Sequence, residues 1–218
     1  MPTEKPRYEL LARPGPVEIR RYAPLIVAET FVEGELGPAG SEGFRRLQAY
    51  IAGDNRARRE IDCPRPLMKA RPGPVPATAT GFAAPGAAPP PPTPTTIAMT
   101  APVGQRPGDG GYWVSFVMPA GFSLVTLPQP SHARIRLREI DARVVAAIRF
   151  RGWWRPRTVR RYRQELEQWA RHSAIEAAGE PVYARYNPPW VPGFLRRNEI
   201  LLPLAGWPGT THAASSTA

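Results

Sequence analysis

A chain of 218 residues with 42% hydrophobic content suffices for one domain, or for two fused half-domains sharing a core. No run of about 18 apolar residues occurs, which excludes a membrane-spanning helix, and Met1 to Arg7 lack the apolar stretch of a secretory signal. The net charge is +11, but only Lys5 and Lys69 are lysines, an arginine bias that fits a GC-rich coding sequence as well as it fits phosphate binding.

Tyr8 to Leu11 reads as a short strand, broken by Arg13-Pro14-Gly15-Pro16. Val17 to Tyr22 alternates at period two, and Ala23-Pro24 turns the chain into a strand from Leu25 to Glu33. Gly34 to Gly40 reads as a loop, after which Ser41 caps a helix with Phe44, Leu47, Tyr50 and Ile51 on one face. Residues 64–96 hold eleven prolines. Too little of that stretch can be buried to offset chain entropy, so it is expected to be a disordered, partly polyproline insert in a surface loop. Lone Cys63 at its edge excludes an intrachain disulfide and suits a reducing, cytoplasmic setting.

A Pro-bearing strand over Ala98–Pro102 and a buried strand over Tyr112–Met118 close the first half. Strands follow at Ala133–Glu139 and Val144–Phe150, then a helix at Thr158–Ala178 with Val159, Tyr162, Leu166, Trp169 and Ile175 on its buried stripe. Gly179 is its expected stop. Pro181–Tyr186 and Glu199–Leu204 complete the strands, and residues 205–218 read as a disordered tail. Seven arginines fall between Arg149 and Arg163, on a loop and helix start, where they read as a solvated face. Nucleic acid is accordingly not the expected partner.

The chain reads as if written twice. Val27 to Gly34 recurs 118 positions later as Val145 to Gly152, each copy preceded by an alternating stretch and followed by a helix and two strands. Two β-β-α-β-β halves, about 17–119 and 133–204, would pack about a pseudo-twofold axis and leave a cleft suited to a small molecule.

Hydrolytic machinery is not visible. His132, His172 and His212 lack metal-ligand spacing, each of the four aspartates sits near a turn, and no Gly-rich loop leads from a strand into a helix. The expectation is a protein that binds rather than catalyses.

Six segments carry distinctive wording: VEIRRYAP at 17–24, FRRLQAYIAG at 44–53, IAMTAPV at 97–103, SFVMP at 115–119, ARYNPPW at 184–190 and RRNEI at 196–200. In this order they resemble the SOUL family of haem-binding proteins over about Tyr8 to Leu204, the insert excepted. The resemblance implies an α+β fold, a distorted antiparallel β-barrel of two pseudo-symmetric repeats with a helix packed on each. It also implies a hydrophobic cleft for haem or a related tetrapyrrole.

On that reading Phe44, Leu47, Tyr50 and Ile51 line the slot, with plain core packing as the alternative for each. The rigid loop bearing Tyr186 and Trp190 walls one end. Arginines suit propionates, but their abundance leaves no single one favoured. In some family members a histidine stands where this chain has Arg21, so iron ligation of that kind is not expected. His172 on the second helix and Cys63, in a Cys-Pro pair, are weak ligand candidates, and Met99 reads as packing. Asn198 and Glu199 read as structural partners of a neighbouring arginine. The implied role is a tetrapyrrole carrier, buffer or sensor. The alternative is a non-haem effector-binding module of similar duplicated architecture, against which the arginine excess argues where the effector is a cation.

Overall fold

The computed structural model describes residues 4–56, 95–187 and 191–207; most of the proline-rich segment, Cys63, Trp190 and the tail beyond Trp207 lie outside them. Strands β1 (Tyr8–Ala12), β2 (Val17–Tyr22) and β3 (Leu25–Glu33) lead into helix α1 (Leu36–Ile51) and the short β4 (Asn55–Arg56). Then come β5 (Val103–Gly108), β6 (Gly111–Val117), β7 (Gln129–Pro130), β8 (Ile135–Ile140) and β9 (Arg143–Arg151). Helix α2 (Pro156–His172), β10 (Val182–Arg185) and β11 (Arg197–Pro203) complete the fold.

Nine strands form one antiparallel sheet in the order β1-β2-β9-β11-β10-β5-β6-β3-β8, with β4 and β7 paired apart. The sequence halves interlock within it. β2 pairs with β9 of the other half and β8 pairs with β3, while β5 meets β10 at the centre. Residues from β8 at one end and from β2 near the other line a common hollow, so the sheet is curled into a half-barrel. This is the α+β distorted barrel expected from the sequence.

Strand alternation assigns the two faces. On the convex face Val17, Ile19, Ala146, Ile148 and Ile200 pack with Val159 and Leu166 of α2. Ala28, Val114 and Phe116 pack with Leu47, Tyr50 and Ile51 of α1. Both helices thus cover one side, and the other side is left to enclose the hollow.

Three elements differ from their sequence reading. α1 begins at Leu36 inside the predicted loop, and Ser41 sits within the helix, its hydroxyl donating to the Gly37 carbonyl. The glycines there serve packing: a Cβ on Gly43 would lie 2.5 Å from Val114, and one on Gly40 would lie 2.5 Å from Gln105 Nε2. α2 stops at His172, short of Gly179, with Ser173 as its cap and Ala174 at φ 51°. The chain leaves the helix to bond β11 backbone, Ala178 N–H to Pro203 O at 2.9 Å and Ala205 N–H to Glu176 O at 2.9 Å. The third first-half strand runs over Val103–Gly108, after the predicted Ala98–Pro102. Its glycines and proline disguise it, and buried Gln105 anchors it by donating to Leu36 O at 2.9 Å.

Candidate functional site

The concave face encloses a cavity of about 420 Å³ over the β5–β10 seam. Small residues, Gly104 and Ala184, form its floor where the two central strands meet. Leu25, Val27 and Glu29 reach it from β3, and Trp113, Ser115 and Val117 from β6. Arg136, Arg138 and Ile140 come from β8, Tyr22 and Arg143 from β2 and β9, and Leu201 and Pro203 from β11. Each set is every second residue of its strand, so the same pleat that feeds the core feeds the cavity. A second hollow of about 600 Å³ shares Pro6, Leu25 and Val117 with the first, so the N-terminal segment stands between the two.

Charge is arranged unevenly around the wall. Glu29 is 2% exposed and accepts from Arg136 Nε at 2.7 Å and Arg138 Nε at 3.0 Å. Burial pushes its carboxyl up, but the two guanidiniums outweigh burial and hold it below the usual carboxylate range. Arg136 also lies 3.8 Å from the centroid of the Trp113 ring, a cation–π contact that fixes the indole against the wall. Arg143 differs from these: its Nη1 is buried without a hydrogen-bond partner among the described residues. Burial, and then the nearby charge of Arg138, lower its pKa.

Behind one end of the cavity lies a closed ionic network. The Glu199 carboxylate receives Arg20 Nη1 at 2.7 Å, Arg197 Nη2 at 2.6 Å, Arg149 Nε at 3.1 Å and the Tyr186 hydroxyl at 2.7 Å. Tyr186 is therefore held by its hydroxyl while its ring faces the cavity. Burial and the Glu199 charge raise its pKa strongly, and burial likewise raises that of Tyr22. Both phenols stay protonated at neutral pH.

Of the residues the sequence reading placed at the site, the structure brings Tyr186 to the cavity. Phe44, Leu47, Tyr50 and Ile51 do not line it; they pack in the core on the opposite face. The stripe that looked like a slot is the contact of α1 with β3 and β6, and the Tyr50 hydroxyl is spent on Pro128 O at 2.8 Å. His172 is exposed at the end of α2, its Nδ1 2.8 Å from Gln168 O, and is not part of the wall. Met99 is 39% exposed, outside the expected packing. Trp190 and Cys63 lie outside the described residues. Glu199 and Asn198 are structural partners as read from the sequence, Asn198 donating to Gly152 O at 3.0 Å.

Sequence reasoning missed Trp113, Glu29, Arg136, Arg138 and Arg143. A signal was present in Glu29, a charge set among Val27, Ala28 and Thr30, but a single strand does not reveal which face is the cavity.

A tetrapyrrole needs apolar walls, cations for its carboxylates and, where iron is ligated, a donor. The wall supplies the first two. The described residues lining it include no histidine, cysteine or methionine, and its two tyrosines are held protonated. No group of three or more His, Cys, Asp or Glu placed to hold a metal ion occurs among the described residues.

The fold is similar to that of the C-terminal domain of EcmrR, with a TM-score of 0.53 at 11% identity over 90% of this chain and 97% of that one. It is similar to a hydrolase from Listeria innocua, with a TM-score of 0.51 at 10% identity over 94% of each chain. An uncharacterized conserved protein from Listeria innocua gives a TM-score of 0.50 at 11% identity, again over 94% of each. These identities carry the fold alone. No curated protein matches the chain. The family model described as SOUL heme-binding protein matches residues 3–203.

Proposed function

Because this chain belongs to the SOUL heme-binding protein family, we propose that it binds haem or a related tetrapyrrole in the concave cavity. The role is that of a cytoplasmic carrier, buffer or sensor, without catalysis. The observation that carries this reading is the wall itself: an aromatic and aliphatic surface, with Trp113, Leu25, Leu201 and Tyr186, ringed by arginines. A volume of about 420 Å³ falls in the range of small-molecule sites.

Capture is by burial of a flat apolar face, at about 25 cal/mol per Å² removed from water. Trp113, braced by Arg136 on one side and tilted against Phe31 at 5.2 Å, presents a rigid surface for it. Arg106, Arg136, Arg138 and Arg143 give the wall a positive field that favours anionic ligands and repels hydrophobic cations.

Titration of the purified protein with hemin tests the proposal through the Soret band. A saturable shift is expected, abolished by Val27→Arg or Leu201→Arg, which place a charged chain in the cavity. Absence of a saturable shift, or a shift indifferent to both substitutions, overturns it. A parallel titration with a cationic dye separates this reading from an effector module for hydrophobic cations.

A further inference from the structure

Four arginines line the cavity, and three of them have hydrogen-bond acceptors; among the described residues Arg143 meets only the Tyr22 ring, 6.0 Å from its centroid. Arg136 and Arg138 share Glu29. Arg106 reaches the Pro107 carbonyl at 3.5 Å and faces Trp113. Arg143, at the start of β9 and in register with Tyr22, leaves Nη1 buried and without a hydrogen-bond partner among the described residues. The second carboxylate of the lining, Glu180, pairs with Arg163 at 3.5 Å. No acid of the wall is thus left to answer Arg143.

A buried guanidinium nitrogen without an acceptor is costly, and such an atom in a native fold calls for a missing partner. Arg143 is itself part of the cavity wall, which also carries the apolar Leu25, Val27, Ile140 and Leu201. A group that enters there to satisfy Arg143 must bring its own negative charge on an otherwise hydrophobic body. Resting on the reading of this cavity as a tetrapyrrole site, we propose that Arg143 anchors a ligand carboxylate, and that the cavity selects flat apolar acids over their esters. Arg138 adds charge at the same end, while a guanidinium fork suits a carboxylate better than an ammonium does.

The probes are hemin against its dimethyl ester, and 1-pyrenebutyrate against its methyl ester, on the wild type, Arg143→Gln and Arg143→Lys. Wild type is expected to bind each acid at least about tenfold tighter than its ester, the scale of one charge-assisted hydrogen bond. Arg143→Gln erases the difference and Arg143→Lys keeps part of it. Acid and ester binding alike on wild type, or a preference that survives Arg143→Gln, overturns the proposal. If hemin fails to bind while pyrenebutyrate shows the Arg143-dependent preference, the tetrapyrrole reading falls and the carboxylate anchor stands. If hemin binds without any Arg143 effect, the reverse holds. If neither acid binds, both fall. The ligand-free protein gives a second readout: relief of an unpartnered buried cation should raise the melting temperature of Arg143→Gln, and a lowered one overturns the anchor role in favour of a structural one.

Discussion

Arg20 and Glu199 face each other with neither side chain exposed, joined by two hydrogen bonds of 2.7 and 3.1 Å between adjoining parts of the sheet. Such a fork-to-fork pair, with Tyr186 and Arg197 on the same carboxylate, ties β2 to β11 across β9. Glu199→Ala removes the buried one of the two carboxylates that answer Arg20, Glu18 keeping its bond at 2.7 Å, and is expected to cost about 3 kcal/mol in urea unfolding. The double replacement Arg20→Met with Glu199→Leu should recover most of that loss, since it removes the charges together.

The same carboxylate sets an acid limit. Burial pushes Glu199 up, but hydrogen bonds and charge from Arg20, with Tyr186 and Arg197, hold it at about 2 against an ordinary 4.5. A group with a depressed folded-state pKa stabilises fully above its unfolded value and loses that contribution as pH falls through the folded one. Stability should therefore decline from about pH 4.5 towards pH 2, with Glu29 adding in the same direction. Chemical denaturation at stepped pH reads this, and Glu199→Gln should flatten the slope.

Helix α1 sits on β6 with no room at Gly43, where an added Cβ would meet Val114 Cβ and Cγ2 at 2.5 Å. Gly43→Ala is expected to destabilise by about 1–3 kcal/mol through overpacking. Val114→Ala in the same chain should relieve part of it, so a double-mutant cycle in urea gives a favourable coupling between the two replacements.

Core and site are separable by measurement. Leu47 is 0% exposed on the convex face, so Leu47→Ala should cost about 2–5 kcal/mol of stability while leaving the hemin affinity of the folded protein unchanged. Trp113→Ala should do the opposite, weakening binding far more than it lowers stability. A loss of hemin affinity in folded Leu47→Ala would return the site to α1.

His172 lies outside the wall, capping its own helix through Gln168 O. His172→Ala should leave the Soret maximum and the binding curve of the hemin complex as in wild type. A changed spectrum would identify it as an iron ligand.

The elements were legible because period-two and helical spacings survive in single strands and helices; β2 and β3 fall on their predicted residues. Tertiary contacts decided the rest. Gly40 and Gly43 read as loop residues until Gln105 and Val114 are brought against them. The C-terminal turns of α2 lost to backbone pairing with β11. The site was harder for the same reason. An apolar stripe such as Leu47, Tyr50 and Ile51 has one appearance whether it faces a sheet or a ligand. Tyr186 lines the cavity, and its signal in the sequence is an aromatic in a rigid loop. Arg143 has no such signal, because it is one arginine among many until the neighbours that fail to pair with it are known.

The exchange of β2 and β8 between the two halves bears on how the chain holds together. A break anywhere between β6 and β8 gives two pieces, and each carries away a strand that completes the other. One piece is left with β3 open along a flank, the other with β9, and among the described residues the strands that cover those flanks lie across the break. The pieces are obligate partners, and a nicked protein should stay whole on a sizing column.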